Sequence, residues 1–478
     1  MKKRFFVAVS LIGAALSIGV AQSKTKVTFW NFDTSAPQKA FWTEQIKKFE
    51  AKNPDVQIEY VVSPANLYDN ALELAIRGGN TPDVVDVRDQ GSVFRYVTQG
   101  VFQPIDPFID KEWVSRFGDG DILPGLHKFA GKTYSYPYRD EKINGMRVLV
   151  YYNKDLFIKA GITEFPKNWT EFRAAAKAIT AVSKGEAYGA LMSFLQSGTE
   201  NTVGAFAAKA GAPNIGALGG FQLRGLNLQT GKYALSGRPF TQAVKFLGDL
   251  VKDGSMLPGF ETTTNDQGVA LFAQGRVGML MGPGFWAAPA VADAKPKFNW
   301  DLAVPPSIDG TTRPLHVAPA AGRIFMSAKT SNPKASWKWM DFMTSLDFAQ
   351  DMVEAGFSFP NQPEAYKNAK VIPFTRKIID LAKTQVVLAP APEIRNPVVL
   401  QVLAKIKAPQ PVDLDVWRAA IAGRSDYAKT AAAYDAYMNG ELERAIQEVS
   451  ATTPGITRAN LFSFANWLPT KSFELRDY

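Results

Sequence analysis

Three short runs near the start of the chain read KVTFW (residues 26–30), VQIEYVV (56–62) and DVVDV (83–87). Their β-branched and aromatic side chains predict three strands. The intervening residues 37–52 and 66–77 place apolar side chains at helical spacing, and the second of these patterns ends at a Gly-Gly pair. This alternation of strand and helix predicts a parallel, doubly wound α/β lobe.

The alternation continues along the rest of the chain with a growing share of helix. Residues 146–153 and 277–281 predict strands, and residues 169–183 predict a helix. The last third is predicted to be mostly helical and includes a long amphipathic stretch over 413–449 that is interrupted at Gly423. Because no low-complexity linker divides the chain, we expect two lobes that are joined by several crossings.

Composition removes several classes of protein. The chain has 478 residues, of which 46% are hydrophobic and 12% aromatic, and this excludes intrinsic disorder. It has no cysteine, which excludes disulfides, thiolate metal sites and a cysteine nucleophile. Its two histidines, His127 and His316, are too far apart in sequence for an HExxH zinc motif. We therefore expect neither a metal nor a cofactor.

The net charge of +9 does not predict a nucleic-acid partner. Basic and acidic side chains are interspersed along most of the chain, and no run of five or more Lys or Arg residues occurs. Charges that alternate in this way are typical of a solvated surface.

The first 21 residues have the features of a secretory signal peptide. Residues 1–4 carry three positive charges, and residues 5–20 read FFVAVSLIGAALSIGV without a charged side chain. Small residues up to Ala21 predict cleavage after that position, and an uncleaved membrane anchor is the alternative. Because a lipoprotein needs a cysteine at its cleavage site, we expect a freely diffusing periplasmic protein, with plain secretion as the other possibility.

Signatures of catalysis are weak. No GxGxxG follows a predicted strand, and neither GxxxxGK[ST] nor GxSxG occurs. Carboxylate pairs such as Asp119/Asp121 and Asp413/Asp415 carry little information in a chain with 45 acidic residues. We predict no catalytic residue, and an exported polysaccharide-acting enzyme is a weak alternative.

Polar and aromatic side chains follow the predicted strands. Asn31 and Asp33 come after the first strand, and Asp86, Arg88 and Asp89 lie at the end of the third. In an open α/β sheet, ligands bind beyond the carboxyl ends of the strands. Aromatic faces next to hydrogen-bond donors and acceptors suit a sugar. The sequence therefore predicts a sugar-binding crevice.

Several segments resemble one protein family. They are TPDVV at 81–85, GKTYSYP at 131–137, VYYNKDLF at 150–157, PKNWTEF at 166–172, FAQGRVGM at 272–279 with Gly-Pro at 282–283, and the stretch from Ser327 to Ser345. In order and spacing they are similar to the bacterial extracellular solute-binding proteins of family 1, which deliver sugars to ABC transporters. The segment VYYNKDLF with Trp169 downstream is the most specific of these matches.

The resemblance implies a two-lobed periplasmic binding protein fold of type II, which is an α/β fold with a helical C-terminal region. Three crossings would join the lobes, near residues 139–142, 313–318 and 346–350. The lobes would comprise residues 22–138 plus 318–346 and residues 139–317 plus 347–478. Such a protein is expected to be a monomer whose lobes close over the ligand and are then recognised by the membrane permease.

The resemblance also implies a ligand site between the lobes. Its candidate residues are Asn31, Asp33, Asp86, Arg88, Asp89, Arg139, Asp140, Glu141, Gln196, Glu200, Phe285, Trp286, Gly356 and Phe357. The tryptophan that follows Gly-Pro in the family is displaced here by two residues. Either Trp286 stacks on the ligand, or it packs in the core and Phe285 takes its role.

A sugar is the leading hypothesis for the ligand. The same fold could bind a polyol or a glycerol-phosphate-like solute, because Arg88, Arg139 and Arg147 could surround a phosphate. We favour the sugar, since the carboxylates in the same loops would repel an anion. The aromatic C-terminal segment, residues 461–478, is expected to pack across a lobe.

Overall fold

The computed structural model of the chain describes residues 23–88, 90–117, 122–195, 197–214, 222–319, 322–356 and 358–478. The signal peptide predicted from the sequence lies outside these residues, as do Asp89, Gln196 and Phe357. Over the described ranges, no helix combines the length and the apolar character that a membrane crossing needs.

Strands and helices alternate through most of the chain, and helices dominate its last third. The strands are β1 (Thr25–Asn31), β2 (Val56–Val62), β3 (Val84–Asp86), β4 (Lys128–Phe129), β5 (Lys132–Thr133), β6 (Val150–Asn153), β7 (Tyr188–Met192), β8 (Leu226–Asn227), β9 (Lys232–Tyr233), β10 (Val277–Met281), β11 (Trp300–Ala303), β12 (Leu315–Val317), β13 (Ile324–Met326) and β14 (Val386–Leu388). The helices are α1 (Ala36–Lys52), α2 (Ala65–Arg77), α3 (Gln90–Thr98), α4 (Lys111–Val114), α5 (Glu141–Asn144), α6 (Lys154–Lys159), α7 (Trp169–Ser183), α8 (Gly198–Lys209), α9 (Arg238–Lys252), α10 (Asn265–Ala273), α11 (Ala287–Asp293), α12 (Pro333–Phe342), α13 (Leu346–Ala355), α14 (Pro373–Gln385), α15 (Pro392–Arg395), α16 (Val398–Lys405), α17 (Asp413–Ile421), α18 (Tyr427–Ser450) and α19 (Arg458–Phe462).

The first lobe is built on a sheet with the strand order β13-β3-β1-β2. Strand β1 pairs in parallel with β2, with Thr25 opposite Val56, and with β3, with Phe29 opposite Val84. The three strands predicted at the start of the chain and their parallel arrangement are thus confirmed. Strand β13 returns from much later in the chain and pairs antiparallel with β3.

The second lobe is built on a sheet with the strand order β11-β6-β10-β7. Strand β10 is parallel to β7 and antiparallel to β6, so this sheet is mixed. The strand predicted over 277–281 is confirmed, whereas the one predicted over 146–153 is shorter and begins at Val150.

Aromatic side chains hold the helices of the first lobe on its sheet. Helix α1 begins at a capping box formed by Ser35 and Gln38. Trp42 of α1 and Trp339 of α12 are fully buried, and their rings lie 5.2 and 5.5 Å from the ring of Phe29 on β1. Since aromatic side chains of this kind bury about 150–250 Å² each, they fix the strands and therefore the loops that follow them.

The second lobe has an aromatic core of its own. Helix α7 begins at Asn168, whose side chain accepts a hydrogen bond from the backbone of Glu171 at 2.9 Å. The next residue, Trp169, stacks on Phe246 with the ring centroids 4.8 Å apart and contacts Phe206 at 5.7 Å. The segment PKNWTEF therefore supplies a helix cap and a core anchor at adjacent positions.

The long helical stretch predicted near the C-terminus is interrupted as expected. Helix α17 ends at Ile421 and α18 begins at Tyr427. Gly423 between them has a φ of 72°, a left-handed conformation in which glycine is free of the strain that other residues incur.

Backbone hydrogen bonds tie the segments that pass between the lobes to their neighbours. The backbone N–H of Asp140 donates to the carbonyl oxygen of Phe359 at 2.8 Å. Strand β12 pairs in parallel with β14, with His316 opposite Val387. These bonds join residue 140 to residue 359 and residues 315–317 to residues 386–388.

Helix α13 packs on the first lobe. The carboxylate of Asp351 accepts hydrogen bonds from Gln45 and Lys48 of α1 at 2.8 and 2.5 Å. These hydrogen bonds join α13 to α1.

The C-terminal segment (461–478) packs across the junction of the lobes. The ring of Trp467 lies 5.1 Å from that of His316 on β12. The backbone N–H of Phe473 donates to β14 at 2.8 Å, and the hydroxyl of Tyr478 accepts a backbone hydrogen bond from the loop after β14 at 2.7 Å. The aromatic segment therefore packs on β12, on β14 and on the loop after β14.

Glu393 of α15 has a buried carboxylate oxygen, Oε2, that lacks a hydrogen-bond partner within the described part of the chain. Burial raises the pKa of Glu393 to about 7 from its ordinary value of 4.5, because desolvation disfavours the charged form. An acid whose pKa is higher in the folded state contributes its stability below pH 4.5, and that contribution is lost as the pH rises towards 7.

We expect Glu393→Gln to raise the melting temperature at about pH 8 and to leave it unchanged at about pH 4. Thermal unfolding of the wild type and the variant at both pH values measures this difference. Glu364→Gln is the matched control, because Glu364 is exposed and pairs with Lys367 of the same turn. An equal effect of Glu393→Gln at both pH values would contradict the raised pKa.

Candidate functional site

The carboxyl ends of β1 and β3 meet at one edge of the first sheet. The two strands run in parallel with Trp30 opposite Val85, so the residues that follow them lie side by side. The Asn31 Nδ2 group donates to the carboxylates of Asp33 and Asp86 at 3.3 and 3.2 Å. The structure thus brings these three candidate residues into one cluster.

Both carboxylates of this cluster are buried and hydrogen-bonded to protein donors. Asp33 is 6% exposed and accepts from Trp42 Nε1 at 3.0 Å and from Gln38 Nε2 at 3.3 Å. Asp86 is fully buried, and Arg323 binds it with Nε on Oδ1 at 2.7 Å and Nη2 on Oδ2 at 2.5 Å. Burial raises the pKa of Asp86, and the charge of Arg323 opposes that rise. Side chains of the protein therefore already occupy the hydrogen-bonding positions of these carboxylates.

Arg323 is a central residue that the sequence analysis does not identify. It precedes β13, which places Ile324 opposite Asp86 on β3. Its guanidinium carbon lies 4.5 Å from the ring centroid of Phe32 and 5.6 Å from that of Tyr138. The ion pair joins residues 237 positions apart, so no local sequence pattern reveals it.

The first crossing contributes three consecutive charged residues. Arg139 Nε donates to the hydroxyl of Ser358 at 3.0 Å, which links this crossing to the chain that follows α13. Asp140 caps α5, since its Oδ1 accepts from the backbone of Ile143 at 3.0 Å. Glu141 is the first residue of α5, and its carboxylate accepts no hydrogen bond from the residues that the structure describes.

Charged side chains of both signs, each partly exposed, act on one another at this expected crossing. Burial raises the pKa of Glu141 to about 7, although Arg147 and Arg139 act in the opposite direction. Burial, followed by the positive charge of Arg323, lowers the pKa of Arg139 to about 10. Burial also lowers the pKa of Arg147. The pattern is that of a site in which water does not screen the charges well.

Two aromatic candidates lie at the start of α11. Phe285 is 4% exposed, and its ring packs against Trp286 and Phe359 with centroid distances of 5.4 Å to each. Trp286 is partly exposed. Its ring and the backbone of Arg147 both lie next to Gly284, since a methyl group on Gly284 would be 2.4 Å from the ring and 2.7 Å from that backbone. Phe285 is thus a core residue, and Trp286 is the member of the pair with free surface.

Glu200 forms part of an ion triad in the second lobe. Its carboxylate accepts from Arg224 Nη1 at 3.0 Å, and Arg224 also binds the buried carboxylate of Asp413 with Nε at 2.5 Å. Burial raises the pKa of Glu200, and Arg224 opposes the rise. The triad fastens α8 to α17, so Glu200 has a structural partner in addition to any ligand.

The remaining candidates differ in their surroundings. Arg88 is exposed and pairs with Asp69. Gly356 ends α13 with a φ of 72°, and a side chain there would press on Thr375 and Pro289 at 3.0 and 3.2 Å. Gly356 therefore serves the turn and the close packing of helices. Asp89, Gln196 and Phe357 lie outside the described residues.

Backbone groups of the protein lie within hydrogen-bond distance of the ring nitrogens of both histidines. His127 Nδ1 accepts from the backbone of Leu123 at 3.0 Å, and burial lowers the pKa of His127 to about 3. The ring nitrogens of His316 lie 3.0 and 2.8 Å from the carbonyl oxygens of Asn214 and Pro469. Across the described ranges, no group of His, Asp and Glu side chains has an arrangement that could hold a metal ion.

Comparison with known proteins relates this geometry to one family. The profile described as bacterial extracellular solute-binding protein matches residues 33–349. A putative binding protein of Brucella abortus is 28% identical over 352 residues, which cover 72% of this chain and 80% of the relative. The sn-glycerol-3-phosphate-binding periplasmic protein UgpB of Brucella suis is 27% identical over 394 residues, which cover 79% of this chain and 84% of the relative.

Solved structures share the fold. The maltose/maltodextrin-binding domain MalE of Bdellovibrio bacteriovorus, bound to maltotriose, superimposes with a TM-score of 0.64 at 18% identity, covering 88% of this chain and 100% of that one. An ABC substrate-binding protein of Listeria monocytogenes in complex with cycloalternan gives a TM-score of 0.62 at 20% identity, covering 90% of this chain and 99% of that one. The expected two-lobed α/β fold is therefore confirmed.

Proposed function

Because the chain belongs to the family of bacterial extracellular solute-binding proteins, we propose that it captures a sugar between its two lobes and delivers it to the membrane permease of an ABC transporter. Capture would involve no bond making, since the hydrogen bonds and stacking of the closed site suffice for affinity. Closure would be a hinge motion about the crossings, and the closed form would be the one that the permease recognises.

The observation that carries this proposal is that three kinds of side chain with unused surface or hydrogen-bonding groups lie at or near the expected first crossing. Trp286 offers an aromatic face with free surface, and Arg139 and Arg147 offer hydrogen-bond donors. Glu141 offers an acceptor that the described protein atoms leave unused. A sugar needs all three, because its C–H faces stack on rings and its hydroxyls both donate and accept.

Two sets of relatives support different solutes. The structures from Bdellovibrio and Listeria that share the fold hold maltotriose and cycloalternan, which favours a mono- or oligosaccharide. The Brucella relatives named for sn-glycerol 3-phosphate favour the alternative of a polyol phosphate. An exported polysaccharide-acting enzyme is the weaker alternative.

Export is part of the proposal. The family is extracellular, and the charged and apolar segments of residues 1–21 support a signal peptide that is cleaved after Ala21. Without a cysteine the mature chain would carry no lipid anchor and would diffuse as a periplasmic monomer. The mass of the mature protein tests the cleavage after Ala21 and the lack of a lipid anchor. Its elution volume on gel filtration tests the monomeric state.

A thermal-shift screen tests the proposed function. A ligand that binds only the folded state adds RT ln(1 + [L]/Kd) to the free energy of unfolding and so raises the melting temperature. We expect one or more sugars among neutral mono- and oligosaccharides, polyols and their phosphates to raise it. Release of a shorter saccharide during incubation would instead support the enzyme, and the absence of any shift across the panel would contradict a solute-binding role for these compounds.

Trp286→Ala should weaken sugar binding by at least about tenfold, or roughly 1.4 kcal/mol, because it removes the stacking face. Calorimetric titration of the wild type and the variant with the sugar found in the screen measures the loss. Trp337→Ala is the matched control, because Trp337 packs on Phe108 in the first lobe with the ring centroids 5.6 Å apart. Unchanged affinity in Trp286→Ala would remove this residue from the site.

A further inference from the structure

The side chain of Arg418 reaches from α17 to the turn that follows β7. Its Nε donates to the carbonyl oxygen of Phe194 at 3.2 Å and to the hydroxyl of Thr199 at 3.3 Å. Its guanidinium carbon lies 5.7 Å from the centroid of the Phe194 ring. These contacts hold a partly exposed guanidinium at this turn, although α17 lies beyond the residues that the family profile matches.

The turn after β7 lies beside the loop after β10, which carries Trp286. Strands β7 and β10 run in parallel with Met192 opposite Met281, so their carboxyl ends meet at one edge of the sheet. The backbone N–H of Ser193 donates to Met281 at 3.0 Å, and a methyl group on Gly282 would lie 3.0 Å from the Ser193 side chain. Residues that follow such strand ends line the ligand crevice of an open α/β sheet. The guanidinium held at this turn is therefore on the crevice side of the second sheet.

Most hydrogen-bond donors of Arg418 are unused. A guanidinium has five N–H groups, and only the Nε group of Arg418 donates to a described atom. Within the described ranges, no atom accepts from its Nη1 or Nη2, and no carboxylate forms an ion pair with it. Because the bonds of Nε orient the planar group, the four remaining N–H groups form a fork of fixed direction.

Glu200 supplies an acceptor next to this fork. Thr199, whose hydroxyl accepts from Arg418, precedes Glu200 in the first turn of α8. The Oε2 atom of Glu200 accepts from Arg224 at 3.0 Å, while its Oε1 atom accepts from no described atom. Burial raises the pKa of Glu200, and Arg418 is among the charges that oppose this rise, which places the two groups within electrostatic reach of each other.

A fork of parallel N–H groups beside a carboxylate suits two neighbouring hydroxyls. Each hydroxyl has lone pairs that accept from the guanidinium and a proton that it donates to the carboxylate. An isolated hydroxyl would use only half of the fork, and an anionic group would meet the negative charge of Glu200. A vicinal diol is therefore the ligand group that satisfies both side chains, and sugar rings carry such diols.

We propose that Arg418 determines the sugar specificity of the second lobe by binding two adjacent ring hydroxyls, which donate in turn to Glu200. This inference rests on the proposed function, because it concerns the same site between the lobes. It adds a residue of the C-terminal helices to that site. It also defines the chemical group that the solute presents there, a pair of neighbouring hydroxyls.

Singly deoxygenated sugars test the proposal. The probes are D-glucose, D-galactose and maltose, each compared with analogues that lack one hydroxyl, and glycerol compared with propane-1,3-diol. Calorimetric titration of the full mature chain should show that removal of either hydroxyl of one vicinal pair weakens binding by at least about tenfold. A sugar that binds equally well without either member of every such pair would overturn the proposal.

Variants of Arg418 assign the hydroxyl pair to this residue. Arg418→Met should weaken binding of the parent sugar by at least about tenfold, and removal of a paired hydroxyl should then have almost no further effect. Arg418→Lys keeps the charge but lacks the planar fork, so it should show the same loss, and it replaces Arg418→Met if that variant does not fold. Arg424→Met is the matched control and should leave binding unchanged, because Arg424 is exposed and pairs with Glu261.

The outcomes separate this inference from the proposed function. Coupled losses from the Arg418 variants and from the deoxygenated sugars support both. A purely structural role of Arg418 would lower the melting temperature and weaken binding of the parent sugar and its analogues by the same factor, and that result would overturn this inference alone. Unchanged sugar affinity in Arg418→Met and Arg418→Lys would also overturn it, while the proposed function stands. Failure of every saccharide and polyol to bind overturns the proposed function as well.

Discussion

Arg323→Met should lower the free energy of unfolding by about 3–5 kcal/mol, which is the usual effect of removing one partner of a buried ion pair. The side chains of Arg323 and Asp86 are 8% and 1% exposed, so the variant would leave the Asp86 carboxylate buried without its cation. Methionine keeps most of the length of the arginine stem, so that the loss of charge and hydrogen bonds is the main change. Urea unfolding followed by tryptophan fluorescence measures the effect.

Arg88→Met is the matched control, because Arg88 also forms an ion pair but is exposed. Arg88 follows β3 and pairs with Asp69, with side chains that are 43% and 33% exposed. We expect its replacement to cost no more than about 1 kcal/mol, as is usual for surface ion pairs. Combining Arg323→Met with Asp86→Asn should recover part of the loss, because the orphaned charge is then removed. Equal unfolding free energies for Arg323→Met and Arg88→Met would refute the importance of the buried pair.

Gly189→Ala should be the other strongly disruptive substitution, with a loss of at least about 3 kcal/mol or no folded protein. A methyl group on Gly189 of β7 would lie 1.9 Å from the carbonyl oxygen of Ala176 on α7. The added methyl group would clash with backbone atoms of α7, so no change of side-chain rotamer relieves the clash. The Gly189 N–H also donates to the Thr180 hydroxyl at 2.8 Å, and a shift of β7 away from α7 would break that bond.

The control for this substitution is Gly440→Ala in α18. Gly440 is exposed, and no described atom beyond its own turn of helix lies within 4 Å of the position that its methyl group would take. Because alanine favours the helix over glycine by about 0.5–1 kcal/mol, this variant should be slightly more stable than the wild type. Thermal unfolding of the two variants should therefore shift in opposite directions. A normal melting temperature for Gly189→Ala would mean that β7 and α7 are less closely packed than the structure indicates.

Local sequence patterns were enough to predict the first strands and several helices of the fold. The runs at 26–30 and 56–62 form strands because their apolar side chains alternate or continue on a sheet that is covered by helices. Asn168 starts α7 because its side chain can accept from the backbone of Glu171, which is a property of four consecutive residues. Such features depend on short stretches of chain and are therefore visible in sequence.

The site was only partly predictable. The rule that ligands lie beyond strand ends brings Asn31, Asp33 and Asp86 into one cluster, and the structure places them there. The rule does not say whether a carboxylate faces solvent or is held by protein donors. That depends on Arg323, which reaches Asp86 only because a strand from late in the chain pairs with β3.

Contacts between distant residues also decide the surroundings of the candidate residues in the second lobe. Glu200 was expected to face the ligand, and its carboxylate pairs with Arg224, which in turn binds Asp413 from the helical C-terminal region. The partner positions are set by the packing of α8 on α17, which no spacing along the chain encodes. Trp286 and Phe285 are neighbours in sequence, and only the packing of Phe285 on Phe359 distinguishes the buried ring from the accessible one.

The hydrogen bond from the backbone N–H of Asp140 to Phe359 holds two distant segments of the chain at one point. Two strands of chain that are fastened at one point can twist about that point, but they cannot slide past each other there. If the lobes close as the proposed function requires, their motion near this point would be mainly a rotation. Solute occupancy would thus be converted into a single angular signal, and a partner in the membrane would need to sense only that angle to distinguish a loaded carrier from an empty one.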